Sequence, residues 1–424
     1  MGISSNSRQG NSAELISERT RSVFEALMKD PNVKIGLNFL EKDNDDTTLE
    51  QIAITEISAP TFQERERGLD FQKRLIEYGL EEVEVDKQGN VFGIRRGSGN
   101  GPKVVVCAHL DTVFPEETSV KAEIKEGKVF APGISDDGRG LSSVLTLLRA
   151  IEIADIHTTG DILFGATVGE EGLGDLNGVK ALFENNKDIA GFISIEPGSP
   201  ERITYLGTGS KRYHVTYTGH GGHSFGDFGK PSAIHALGRA IAAISNIKTS
   251  ADPKTTFNVG TIGGGTSVNT ISAHAEMLID MRSVSTDSLI QLEEKVKDIL
   301  KKSANDENKR WETNEIQVHI KQVGDRPAGS QPKDSVIVQA ALASSEVLGF
   351  EPALEEPSST DANVPISLGI PAVTLGGGGE FGGCHTLGEY YDPKDAFYGV
   401  QRIFLTLLSL VGIENVCQPL LKNI

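Results

Sequence analysis

Residues 103–111 read Lys-Val-Val-Val-Cys-Ala-His-Leu-Asp, five apolar side chains that run into an imidazole and then a carboxylate. An apolar run without polar alternation is expected of a strand buried on both faces, in the middle of a sheet. On either side the same rhythm continues. Val91–Ile94 reads as a strand, and 140–154 as a helix with Leu141, Val144, Leu145 and Leu148 on one face. Residues 161–168 form a second buried strand, 179–185 a short helix and 189–195 a third strand. Upstream, apolar residues recur at helical spacing over 14–40, 49–57 and 62–78. Strands alternating with helices imply an α/β fold, a mostly parallel sheet flanked by helices.

From Leu206 the pattern changes. Tyr213, Val215 and Tyr217 alternate as in a half-exposed strand, 231–247 is a helix opened by Pro231, and 256–262 and 271–281 are strands. An amphipathic helix over 285–302 and a strand over 315–321 complete the order βαββαβ, the split βαβ unit of ferredoxin-like α+β folds. After Arg326 the first pattern resumes with a helix over 335–348, a strand over 372–375 and a helix over 395–410. The expected organisation is a loose tail (1–12) and a catalytic domain in two parts (13–205 and 326–424). A smaller domain (206–325) is inserted between those parts.

The 424 residues carry 41 Lys+Arg against 59 Asp+Glu, a net charge of -18, so a polyanion would be repelled and nucleic acid is not expected as a partner. The three cysteines, Cys107, Cys384 and Cys417, form no CxxC pair, which fits a reducing compartment rather than a disulfide scaffold. No signal peptide and no apolar run of membrane-spanning length is legible, so the expectation is a cytoplasmic protein with no membrane partner.

The chemistry is expected where strands end. His109 and Asp111 follow the first strand, and Asp136-Asp137 precede the helix at 140. Glu170-Glu171 follow the strand at 161–168, Glu196 follows the strand at 189–195, and His385 follows the strand at 372–375. In open α/β sheets the carboxyl ends of strands line one crevice. Singly, each of these has an ordinary explanation as a hydrogen-bonded pair, a helix cap or a solvated loop. Five elements delivering carboxylates and imidazoles to one edge do not, because crowded carboxylates repel unless a cation compensates them. Imidazole and carboxylate without thiolate suit Zn²⁺, with Mn²⁺ or Co²⁺ as competitors. Two such ions about 3.5–4 Å apart activate a water and polarise a carbonyl. A remaining acid would take up the proton. Cys384 beside His385 lacks the further partners of a cysteine nucleophile.

The segments His109-Leu110-Asp111-Thr112-Val113, Asp136-Asp137 and Gly169-Glu170-Glu171-Gly172 together resemble the co-catalytic zinc metallopeptidase and deacylase family. That family includes aminoacylase, glutamate carboxypeptidase, acetylornithine deacetylase, succinyl-diaminopimelate desuccinylase and peptidase T. The resemblance runs from about residue 46 to near the end, and in that family the inserted domain is a lid and dimerisation domain.

The resemblance implies two Zn²⁺ per subunit. His109 and Glu171 would serve separate metals, or one metal and its neighbour. Asp136 would bridge both ions, and its peptide bond to Asp137 is often cis in such proteins. Glu196 would complete one site and His385 the other. Glu170 would be the general base and Asp111 the residue that orients His109. In the loop Gly219-His220-Gly221-Gly222-His223-Ser224, His223 would reach a partner subunit's site as oxyanion donor, favoured over His220 by its spacing and the serine that follows. Asn269 and Arg282 would contact substrate.

The implied activity is hydrolysis of amide bonds in small peptides by a homodimer. The alternative is deacylation of N-acyl amino acids. A non-catalytic metal-binding dimer or a phosphate-ester hydrolase would be the rivals from other classes.

Overall fold

The computed structural model describes residues 12–99 and 101–423. The tail expected over 1–12 lies outside these residues apart from Ser12, which opens α1 (Ser12–Leu15). The chain divides into two compact units, one made of the segments up to Leu206 and from Ser330 onward, the other of Gly207–Gly329. Gly207 and Gly329 pair across the neck of the second unit, each amide donating to the other's carbonyl.

The first segment forms α2 (Glu18–Lys29), α3 (Pro31–Lys42), α4 (Asn44–Thr55) and α5 (Arg65–Glu77). It continues with β1 (Glu81–Val85), β2 (Val91–Arg95), β3 (Lys103–His109), β4 (Glu123–Lys125), β5 (Lys128–Phe130) and α6 (Gly138–Ile153). Then come β6 (Ile162–Thr167), α7 (Asn177–Asn185), β7 (Ile189–Glu196) and β8 (Arg202–Thr204). The helical stretch expected over 14–40 spans the end of α1, then α2 and α3, the last two parted because Asp30 precedes Pro31 and is held extended (φ -66, ψ 131). Its carboxylate then accepts from Val33 N at 2.9 Å and caps the second of them.

The second unit contains β9 (Gly209–Thr218), β10 (Gly222–His223), α8 (Ala233–Ser245), β11 (Thr255–Gly264), β12 (Thr270–Ile271), β13 (His274–Ser283), α9 (Thr286–Arg310) and β14 (Gln317–Arg326). Its four-stranded antiparallel sheet has the order β11-β13-β9-β14, the ferredoxin-like arrangement. Tyr213, Val215 and Tyr217 face inward with Ala275, Met277, Ile279 and Met281, against Leu237 and Ala240 of α8 and Leu292 and Val296 of α9. Burial of each large apolar side chain contributes roughly 1.5–3 kcal/mol.

The chain returns to the first unit as α10 (Val336–Val347), β15 (Ala353–Leu354), α11 (Asn363–Ser367), β16 (Ala372–Gly376), β17 (Glu380–Gly382), β18 (Tyr390–Asp392) and α12 (Phe397–Val411). The large sheet runs β1-β2-β6-β3-β7-β16-β8-β15. Its centre, β6-β3-β7-β16, is parallel. Val104 and Val106 of β3 pack on one face with Leu141, Val144 and Phe404. Val105 and Cys107 pack on the other with Val179, Leu182 and Ile366. Helices cover both faces of the central strands, so the polar groups that end them emerge along one edge. No helix among the described residues is long and apolar enough to cross a membrane.

Candidate metal centre

The parallel strands place the ends of β3, β6, β7 and β16 side by side: His109 pairs in register with Thr167, and Glu196 with Gly376. His109 Nε2 lies 3.0 Å from Asp136 Oδ1, while His385 Nε2 lies 3.1 Å from Asp136 Oδ2 and 2.8 Å from Glu171 Oε1. Glu196 Oε2 is 4.0 Å from His109 Nε2. Three triads have donor atoms within 4.8 Å of one another: His109–Asp136–Glu196, Asp136–Glu171–His385 and His109–Glu170–Glu171. Asp136 belongs to two of them and presents a different oxygen to each histidine.

His385 is half exposed at 53%, whereas His109 is buried. Hydrogen bonds donated to the Asp136 and Glu171 carboxylates push the His385 imidazole up to about 10. Burial works against protonation of His109, yet hydrogen bonds with Asp111 and Asp136 raise it well above the usual imidazole value. Burial likewise opposes ionisation of Asp136, and its two histidine partners nonetheless hold it well below the carboxylate range. Glu196 is driven well up: burial raises it first, the field of His109 opposes the rise, and the fields of Asp137 and Asp136 add to it. Such opposed shifts among touching groups mark a cluster short of positive charge.

Residues outside the predicted set hold this cluster in place. Asp137 caps α6 by accepting from Gly140 N at 3.0 Å, and its other oxygen accepts from His109 N at 3.2 Å. The Asp136–Asp137 peptide bond is cis. Glu389, fully buried, accepts from Gly133 N, Ser135 N and Asp136 N at 2.9, 2.8 and 3.0 Å. Burial pushes its carboxyl up to about 7 against the effect of those three donors. Glu64 accepts from Gly169 N at 3.1 Å. The only sequence signal for Glu389 is an acid four positions after His385, and for Glu64 an acid just before a helix; either pattern is common.

Asp111 does more than was expected. Its backbone carbonyl, at 2.9 Å, is nearer His109 Nδ1 than its carboxylate, at 3.6 Å. The carboxylate instead accepts from Glu170 N, Glu171 N and Thr61 Oγ1 at 3.0, 2.9 and 2.9 Å. Because both amides turn toward Asp111, the Glu170 and Glu171 side chains converge on one space. Neighbouring side chains in an extended strand would instead point to opposite faces. Burial, then Glu389 and Asp136, push the Cys384 thiol up to about 12, which disfavours the thiolate.

His223, Asn269 and Arg282 lie in the second unit. His223 ends β10, and its Nδ1 accepts from Phe225 N and Gly226 N at 3.2 and 3.1 Å. In the neutral ring the proton therefore sits on Nε2. Asn269 O accepts from Ser224 N, which ties that residue to the same loop. Arg282 Nε is held by Asp280 Oδ2 at 2.7 Å, and Arg212 Nε by Asp280 Oδ1 at 2.9 Å.

The donor set fits two divalent cations: imidazole nitrogens and carboxylate oxygens, no thiolate, and one carboxylate shared through separate oxygens. Fold and site together define a metal-dependent hydrolase of amide bonds in small peptides or N-acyl amino acids. The chain belongs to the peptidase family M20/M25/M40, whose profile matches residues 105–409. It is 25% identical over 351 residues to the uncharacterized protein YqjE of Bacillus subtilis, covering 80% of this chain and 91% of that one. To the succinyl-diaminopimelate desuccinylase of Wolinella succinogenes it is 30% identical over 159 residues, 35% of this chain and 42% of the relative. A tripeptidase from Staphylococcus aureus shares the fold with a TM-score of 0.72 at 22% identity, over 86% of this chain and 97% of that one.

Proposed function

We propose that the chain is a zinc-dependent, co-catalytic peptidase acting on small peptides. One relationship carries the reading: the two oxygens of Asp136 lie 3.0 and 3.1 Å from the Nε2 atoms of His109 and His385. His109, Asp136 and Glu196 would hold one cation, and Asp136, Glu171 and His385 the other, with Mn²⁺ or Co²⁺ as alternatives to Zn²⁺. When bound, such ions polarise the scissile carbonyl and make water a nucleophile at neutral pH.

The chain's own residues supply the rest. The Glu170 carboxylate accepts the proton of the attacking water and returns it to the leaving amine. Asp111 fixes the Glu170 backbone and thereby the reach of that carboxylate. His223 presents a neutral Nε2–H as donor to the tetrahedral oxyanion of a partner subunit. Asn269 and Arg282 orient the substrate, Arg282 by its fork geometry toward a carboxylate.

Gly207–Gly329 acts in this reading as a lid and dimerisation domain within a homodimer, and the three unpaired cysteines support a reducing, cytoplasmic location. N-acyl amino acid deacylation is the second reading, supported by Glu196 followed by Pro197 and by the desuccinylase relative. A zinc-loaded screen over dipeptides, tripeptides and N-acyl amino acids, with free and blocked termini, decides between them. Turnover confined to peptides is expected. Turnover confined to N-acyl amino acids would transfer the assignment to the second reading, and turnover of neither would refute both.

A further inference from the structure

Exposed apolar side chains follow residues of the metal cluster along the chain, where solvent-facing residues are usually polar. Thr61 Oγ1 donates to Asp111 Oδ2 at 2.9 Å, the same oxygen accepts from Glu171 N at 2.9 Å, and Glu171 Oε1 lies 2.8 Å from His385 Nε2. Along this unbroken line of contacts, large apolar residues stand beside each member. Phe62 follows Thr61, Val113 lies two residues past Asp111, Leu173 two past Glu171 and Leu387 two past His385. They are 64%, 39%, 54% and 75% exposed.

Apart from His385 itself, the exposed residues within two positions of those four contact residues carry no charge, and the polar ones are Gln63 and Thr386. Phe62 also holds φ 74, a left-handed conformation that a bulky side chain adopts only when its surroundings enforce it. Just before it, Pro60 and Thr112 form a bridge, with Thr61 N donating to Thr112 O. It brings the segment bearing Phe62 alongside the one bearing Val113.

We propose that Phe62, Val113, Leu173 and Leu387 form a collar that selects substrates bearing an apolar side chain next to the scissile amide. This rests on the amide-hydrolase reading of the adjacent cluster. His385 is already engaged by Asp136 and Glu171, so an acidic side chain on this rim would lose hydration against the apolar groups and gain no partner of its own among them. A basic side chain would lose hydration against the apolar groups without gaining a partner. An aliphatic or aromatic side chain would shed water together with the collar, and discrimination in apolar pockets of this kind runs from about 10- to 200-fold.

The test is steady-state kinetics of the metal-loaded full chain on matched substrates: Leu-Gly with Asp-Gly and Lys-Gly, Gly-Leu with Gly-Asp and Gly-Lys, and N-acetyl-leucine with N-acetyl-aspartate. In whichever series turns over, kcat/KM for the leucine member should exceed that of its charged counterparts by about tenfold or more. Phe62→Asn, which suits the left-handed backbone, and Leu387→Ser should each shrink that ratio toward one. Equal or reversed preference in the parent protein would overturn the collar while leaving amide hydrolysis intact. A uniform loss over all substrates in both variants would also overturn it, assigning the rim to contact with protein rather than substrate. No turnover in any series would instead remove the hydrolase reading and the collar with it.

Discussion

Glu389 Oε1 accepts hydrogen bonds from the backbone nitrogens of both Ser135 and Asp136, at 2.8 and 3.0 Å, while Oε2 takes that of Gly133 at 2.9 Å. One buried carboxylate thus shapes the turn that aims Asp136 at two histidines. It does so from a position four residues beyond His385, so the segment bearing one candidate ligand supports the segment bearing another.

Glu389→Gln exchanges one acceptor oxygen for a donor, leaving at least one of those three amides without a partner. The metal-free protein should lose about 1–3 kcal/mol of stability, measured by urea unfolding. Zinc affinity should fall about 10–100-fold, measured by competition with a chromophoric chelator. Unchanged affinity would mean that the turn keeps its shape without Glu389.

Glu170→Ala should bind metal as the parent does yet lose about 10²–10⁴-fold in kcat, the usual contribution of a positioned acid–base. His223→Ala should also be inactive. If His223 serves a partner's site, mixing the two inactive proteins should restore part of the activity by pairing an intact Glu170 site with an intact His223. Absence of recovery after demonstrated subunit exchange would place His223 outside the partner's site.

Asp280 sits between Arg212 and Arg282. Burial raises its carboxyl, but hydrogen bonds from Arg282 and Arg212 outweigh that and hold it below the usual range. A depressed folded value stabilises the protein above the unfolded carboxyl value of about 3.9, and the benefit is lost as pH falls through the lower folded value. The stability difference between the parent and Asp280→Asn should therefore be constant from neutral pH down to about 5 and shrink below about 4. The sole tryptophan, Trp311, follows α9 in the same unit and reports its unfolding by fluorescence. A difference that persists undiminished at pH 3 would contradict the pairing.

Much of this was legible because hydrophobic run length and strand ends carry the information. The six residues from Val104 to His109 are buried; His109 and Glu196 end β3 and β7, Glu170 and Glu171 follow β6, and Asp136 and His385 come from the segments before α6 and after β17. What escaped reading was short, peripheral or long-range. β1 is Glu-Glu-Val-Glu-Val at the edge of the sheet, three of its five residues charged and four exposed, so no long apolar run marks it. The sheet β17-β18-β5-β4 is built of three-residue strands, too short for alternation to register. The helix expected from Phe62 begins at Arg65, since Phe62 is left-handed. The roles of Glu389 and of the Asp111 carboxylate depend on amides that lie far away along the chain, 253 positions from Glu389 to Asp136, and no local pattern encodes such a pairing.

The central claim is that Asp136 is shared between two cations. Zinc bound per chain, measured by elemental analysis after equilibrium dialysis of stripped and reloaded protein, tests it most directly. The account predicts two per chain for the parent and fewer than two for Asp136→Ala. A parent that takes up no zinc, manganese or cobalt in stoichiometric amount, or an Asp136→Ala variant that still holds two with parental affinity, would contradict it.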